Sequence, residues 1–308
     1  MVEKFVRQEI LYVHNVLSKR FACILGEKMI KLFAFDLDGT LLDKDSRLSV
    51  ENIEAIKKLD DAGIKTVLTS GRVFSSVAYF QSIIGTENPI ISTNGSLIGL
   101  NSEEILKSYT LDDDILLELY QFCNKHKLNF HFYDKDTYYS NRLIFDRISH
   151  LKRNDDYGMN YQVGMVIKND PVKYLLSAGN HANKFQISID DCPDYSKDQA
   201  RKLIYDNFSK DLYITRSGER MLELMSKGVS KWQAICDVCD LLGINNDEIA
   251  AIGDSYNDMP MVSQAKLGFA MGNANKDLKE NADFIVSDNN STGIVEAVNH
   301  VLEANKNA

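Results

Sequence analysis

The chain is 308 residues long, with 44% hydrophobic residues, 26% charged residues and a formal net charge of −9. That composition supports a buried core, and the length points to two domains. The acidic balance excludes a broad nucleic-acid footprint, which needs clustered Lys and Arg, but permits one local cationic site for a small anion. No apolar run approaches the ~18 residues of a membrane span, so no membrane partner is expected. Five scattered cysteines (Cys23, Cys123, Cys192, Cys236, Cys239) with no secretory signal fit a reducing, cytoplasmic compartment.

Residues 1–28 mix charged and apolar positions and lack the continuous apolar stretch of a signal peptide. They read as an N-terminal extension, either a short extra helix or the product of an upstream start codon. Met29, directly before a strand-like run, is then the candidate initiator. Residues 30–35, IKLFAF, predict a buried strand that delivers Asp36 to a loop. VENIEAIKKLDDAG has helical spacing (Ile53, Ile56, Leu59) and stops at Gly63. IKTVLTSG follows as a strand, VFSSVAYFQSII as a helix, and PIISTNGSLI as a third strand running into a turn. Strands alternating with helices imply a doubly wound parallel sheet, hence an α/β fold.

After about residue 109 the texture changes. DILLELYQFCNKHK predicts a helix, followed by short alternating stretches: NFHFYDKDTYYS, NYQVGMVI, KFQISID and LYITRSGERMLELM. These suggest an inserted α+β module. From Gly228 the alternation of strand and helix returns: SKWQAICDVCDLLG (helix), IAAIG (strand), the polar turn DSYNDMP, MVSQA (helix), LGFAMG (strand) and a C-terminal helix. The expected organisation is a discontinuous core, 29–108 plus 227–308, with a cap over 109–226.

Ligands of doubly wound sheets sit outside the carboxyl ends of the strands. Three polar clusters fall at such ends: Asp36-Leu37-Asp38-Gly39-Thr40, Thr69-Ser70-Gly71-Arg72 and Gly253-Asp254-Ser255-Tyr256-Asn257-Asp258. Lys231 opens a nearby helix. Taken singly, each has a plain structural explanation: an Asp-rich turn, a common loop, a capped helix start or a solvated lysine. Together they place four carboxylates at one rim, where they would repel without a cation. Ligands made only of oxygen suit magnesium. Cys236 and Cys239, three apart in a helical segment with no partner pair, read as helix thiols rather than a zinc or redox motif. The histidines (His14, His126, His131, His150, His181, His300) form no cluster in sequence. His126 and His131, five apart, would fall on different faces of a helix.

With AFDLDGTLL, LTSGR, GVSKWQAI and AIGDSYNDMPM in this order, the chain resembles the haloacid dehalogenase superfamily, and within it the Cof-type phosphatases. STNGSLI, GNANKDLKENADFIV and DNNSTGI add to the likeness, which runs from Met29 to about residue 302. The resemblance implies a Rossmann-like core with an inserted α/β cap and magnesium as cofactor. It implies Asp36 as the nucleophile that becomes phosphorylated, and Asp38 as the general acid and base that also offers the metal a backbone carbonyl. Asp254 corresponds to the remaining carboxylate ligand and Asp258 to an outer-shell metal group. Ser70 matches the hydroxyl donor to the phosphoryl group, with Gly71 allowing close approach. Lys231 matches the balancing cation, Asn257 a phosphate contact, and Asn94 and Arg72 substrate-side residues. Ser70 stands where members commonly carry Thr, and Trp232 where many carry Gly.

The implied activity is hydrolysis of small phosphomonoesters (sugar phosphates, nucleotides or phosphorylated cofactors), with no obligate protein partner. The alternatives are a phosphomutase of the same superfamily and a phosphate-ligand sensor without turnover. The sensor would show loss of Asp36 or Asp38, and both are present.

Overall fold

The computed structural model describes residues 28–101, 103–143, 163–190 and 192–308, and the backbone of 152–154 and 160–162. The N-terminal extension other than Lys28, with His14 and Cys23, and also His150, lies outside the described residues.

The chain opens with β1 (Leu32–Asp36), α1 (Val50–Asp61), β2 (Lys65–Thr69), α2 (Phe74–Ile84), β3 (Ile90–Ser92), β4 (Leu97–Gly99) and β5 (Ile105–Ser108). Then come α3 (Asp113–Lys125), β6 (Phe130–Tyr133), β7 (Thr137–Ser140), β8 (Lys152–Asn154), β9 (Asn160–Gln162), β10 (Gly164–Ile167) and α4 (Pro171–Ser177). β11 (Lys184–Ser188), α5 (Lys197–Phe208), β12 (Leu212–Thr215) and β13 (Met221–Ser226) complete this middle part. The last stretch holds α6 (Lys231–Leu242), β14 (Ile249–Gly253), α7 (Met259–Gln264), β15 (Leu267–Ala270), α8 (Lys276–Asn281), β16 (Phe284–Ile285) and α9 (Gly293–Lys306).

Two large sheets result. The first is eight-stranded, in the order β16-β15-β14-β1-β2-β3-β4-β5. β1 is its centre, parallel to both β2 and β14 and buried at all five positions. A strand covered by helices on both faces needs apolar side chains on both, which is why LFAF reads as a continuous run. The helices dock by apolar stripes. α1 buries Ala55, Ile56 and Leu59 beneath a Ser49 cap, and α6 buries Ala234, Ile235, Val238 and Cys239 beneath a Ser230 cap.

Two expectations need correction. The segment read as one strand running into a turn is two strands, because Thr93 (φ 49°), Asn94 (φ 59°) and Gly95 (φ 104°) reverse the chain between β3 and β4. β3, β4 and β5 therefore pair antiparallel at one edge of an otherwise parallel sheet. His126 and His131 do not share a helix: His126 caps the end of α3, and His131 lies in β6.

The second sheet is six-stranded, in the order β10-β7-β6-β11-β13-β12. Period-2 alternation divides its faces. Phe130, Phe132, Phe185, Ile187, Leu222 and Leu224 join Leu116, Leu119, Val172 and Ile204 of the helices in a second apolar core. The alternate positions His131, Tyr133, Lys184, Gln186 and Glu223 turn toward the first sheet and line a cavity. The chain leaves the first sheet after Ser108 and returns after Ser226, and the two crossings are tied by Ser226 Oγ donating to the Thr110 carbonyl at 2.6 Å. No helix among the described residues is long and apolar enough to cross a membrane.

Candidate active site

Each predicted polar cluster sits at the carboxyl end of a central strand, and the ends of β1, β2 and β14 face a cavity of about 640 Å³ beneath the second sheet. Asp36 is the last residue of β1, and Asp254 directly follows β14. One carboxylate oxygen each from Asp36, Asp254 and Asp258 lies within 4.8 Å of the others.

Lys231, the first residue of α6, is fully buried between two of them. Its Nζ donates to Asp36 Oδ1 at 2.5 Å and to Asp258 Oδ1 at 2.6 Å. Burial opposes a charged ammonium, but the Asp258 and Asp36 carboxylates outweigh it and raise the Lys231 pKa. For Asp36, burial first and then the Asp258 charge push the carboxyl up to about 7, against the pull of Lys231. Asp254 is pushed up to about 9 by burial and then by the Asp36 charge. One lysine does not balance three carboxylates in so small a volume.

Asp258 serves mainly as an anchor. Besides Lys231, it accepts on Oδ2 from the backbone N–H groups of Asp254 (3.0 Å) and Ser255 (2.9 Å), which fixes the loop that presents Asp254. Asp38 is not one of the three converging carboxylates, although its charge acts on Asp36 and Asp254. Its oxygens take a two-pronged pairing from Arg72, with Nε to Oδ2 at 2.7 Å and Nη2 to Oδ1 at 2.5 Å. Ser70 Oγ accepts from the Arg72 backbone N–H at 3.2 Å, which tightens the turn between the two. Asn94 sits one layer further in. Its backbone N–H donates to the Ser70 carbonyl, and its side-chain Oδ1 accepts from Asn257 Nδ2 at 3.1 Å. Trp232 packs against the first apolar core from the second position of α6.

Phosphotransferases of the superfamily that this chain resembles typically use a metal ion, and the residues present fit one. Three carboxylates converge, and Asp254 Oδ1 is buried without a hydrogen-bond partner among the described residues. Oxygen donors of this kind belong to a hard divalent cation rather than a thiolate metal.

Sequence reasoning missed the residues that the second sheet adds to the cavity: His131, Tyr133, Lys184, Gln186, Met221 and Glu223. Glu223 is 1% and Lys184 3% exposed. The available cue was a charge in a strand flanked by apolar neighbours, as in Leu222-Glu223-Leu224. On a two-faced strand this means either a wet face or a second buried layer.

Residues 33–298 match the haloacid dehalogenase-like hydrolase family, and the chain belongs to it. It is a phosphatase of that family, of the Cof type. The 5-amino-6-(5-phospho-D-ribitylamino)uracil phosphatase YcsE of Bacillus subtilis is 29% identical to it over 271 residues, covering 88% of this chain and 95% of the relative. The pyridoxal phosphate phosphatase YbhA of Escherichia coli is 24% identical, over 87% and 97%. A solved haloacid dehalogenase-like hydrolase from B. subtilis superposes with a TM-score of 0.76 at 25% identity, covering 88% of this chain and 99% of that one.

Proposed function

We propose that this phosphatase hydrolyses small phosphomonoesters in a magnesium-dependent reaction through an aspartyl-phosphate on Asp36. The observation that carries the reading is Asp36 itself: a buried carboxylate at the end of the central strand, lining the cavity and held by Lys231 at 2.5 Å. Asp36 attacks phosphorus, the bond from phosphorus to the leaving oxygen breaks, and an acyl phosphate forms. Asp38 gives its proton to the leaving oxygen. It then takes one from the water that attacks the acyl phosphate, releasing inorganic phosphate and restoring Asp36. Lys231 balances the charge of Asp36 and of the phosphoryl oxygens, while Ser70, Gly71 and Asn257 contact the phosphoryl group. Magnesium, held by Asp36, Asp254 and the Asp38 carbonyl, with Asp258 behind, would offset the repulsion between carboxylate and phosphate.

The module of residues 109–226 lies over this rim and supplies the leaving-group side of the cavity. The relatives named for a ribitylaminouracil phosphate and for pyridoxal phosphate support a small polar leaving group. The test is phosphate release from a panel of esters, with magnesium or with chelator, by the wild type, Asp36→Asn and Asp38→Asn. Wild-type release that needs magnesium but no bisphosphate activator is expected. Asp36→Asn should be inactive though folded by circular dichroism, and Asp38→Asn should accumulate phosphoenzyme without ordinary turnover. Substantial release by a folded Asp36→Asn enzyme would refute the assignment, and dependence on a bisphosphate activator would indicate a mutase.

A further inference from the structure

Five polar contacts form a buried chain across the seam between the two sheets. Glu223 Oε2 accepts from Asn94 Nδ2 at 2.5 Å and from Lys184 Nζ at 3.3 Å, while Oε1 accepts from Ser217 Oγ at 2.5 Å. Lys184 Nζ also donates to the Gly71 carbonyl at 2.5 Å. Asn94 in turn accepts from Asn257. Lys184 and Glu223 belong to β11 and β13 of the second sheet, whereas Gly71, Asn94 and Asn257 belong to loops of the first.

A buried ion pair is weak evidence for stability, because desolvating both charges cancels much of their attraction. A role in geometry accounts better for its position. The Gly71 carbonyl and the Asn94 amide lie on two different phosphate-side loops, and each is held by one member of the pair. The fit leaves little slack: a methyl on Gly71 would come within 3.0 Å of Asn94 Oδ1 and 3.5 Å of Glu223 Oε2. Burial opposes a charged Glu223, but the Lys184 charge and the hydrogen bonds from Ser217, Asn94 and Lys184 outweigh it and lower the pKa, so the carboxylate is available as an acceptor.

We infer that Lys184 and Glu223 are positioning residues, which set the Gly71 carbonyl and the Asn94–Asn257 side chains for phosphoryl transfer only while the second sheet is seated on the first. The inference rests on the function proposed above, because it assigns these residues to the phosphoryl side of the site. The pair acts on the phosphoryl group through others, so its effect is independent of the leaving group. A residue that gripped the leaving group would behave oppositely.

The experiment uses the full chain with magnesium and compares wild type, Lys184→Met, Glu223→Gln and the double variant Lys184→Met/Glu223→Leu. Readouts are kcat and KM on several esters, inhibition by orthovanadate, and Tm. Each single variant is expected to lose about 10–100-fold in kcat, the range for residues that orient others, with KM moved less than about 3-fold. The ranking of esters stays the same, and vanadate inhibition weakens alongside kcat. The singles lower Tm, because each leaves a buried charge unpaired. The double variant regains Tm but not rate.

A double variant with wild-type kcat would overturn the inference, leaving the pair a purely structural element. A changed ester ranking would also overturn it, by placing the pair against the leaving group. If the singles do not fold, Glu223→Asp keeps the charge but shortens the reach: reduced kcat at near-native Tm supports the inference, and full activity defeats it. Failure of the function itself is seen separately, as wild-type enzyme that releases no phosphate or as a folded Asp36→Asn that does.

Discussion

Gly39→Ala tests how tightly the loop after β1 must close on Asp254. Gly39 has φ +78°, and a Cβ built there would lie 2.4 Å from Asp254 Oδ2 and 2.8 Å from its Cγ. Ordinary contacts begin near 3.4 Å, so the carboxylate must retreat by about 1 Å. Its backbone is anchored through Asp258, so the side chain itself has to turn. The left-handed backbone adds strain of about 1 kcal/mol, worth about 2–4 °C in Tm for a chain of this size. Gly63 provides the matched control, with φ +77° and nothing within 4 Å of an added Cβ. Both Ala variants should lose about the same Tm. Gly39→Ala alone should lose about 100-fold in kcat/KM, the usual cost of a 1 Å misplacement, and should need more magnesium for half-maximal rate. Phosphate release measured over a magnesium titration, beside thermal unfolding, decides the matter. If Gly39→Ala and Gly63→Ala have equal activity and equal magnesium requirement, Asp254 does not need the position argued for it.

The raised carboxyls predict a pH signature for the metal-free protein. Asp36 and Asp254, pushed up to about 7 and about 9, keep protons in the folded chain that they would release when unfolded. Folded protein therefore binds more protons between about pH 4 and pH 9, and its stability falls as pH rises through that window. Magnesium relieves the repulsion, so the Tm gained on adding it should grow from pH 5 to pH 9; a constant or shrinking gain in thermal unfolding would contradict this. Arg72→Lys should cost about 10-fold in kcat/KM, because a point charge cannot reproduce the two-pronged contact with Asp38. Unchanged steady-state kinetics would show that the fork is dispensable.

Much of the first sheet was legible in the sequence because its rules are local. Apolar runs such as Leu32–Phe35 announce a strand buried on both faces, and the alternation of strand and helix announces parallel order. Polar residues immediately after such runs must gather at one rim, since parallel strands share a carboxyl end. That is why the sequence alone groups Asp36, the Ser70–Arg72 loop and Asp254. The reversal at Thr93–Gly95 was not legible, because left-handed backbone at Thr93 is sustained by bonds to the distant Arg72 loop rather than by its own side chain.

The direction of side chains was equally beyond a linear reading. Asp38 and Asp36 are two residues apart, yet one pairs with Arg72 and the other with Lys231. The amino-acid sequence by itself determined the family, the α/β alternation and the residue types available at the rim. Only the tertiary structure decided that Lys184 and Glu223, which belong to none of the quoted motifs, close over Gly71 and Asn94. The physical reason is that period-2 alternation states which residues share a face of a strand, but not what that face meets. In β11 and β13, one face meets helices and the other meets the carboxyl ends of another sheet.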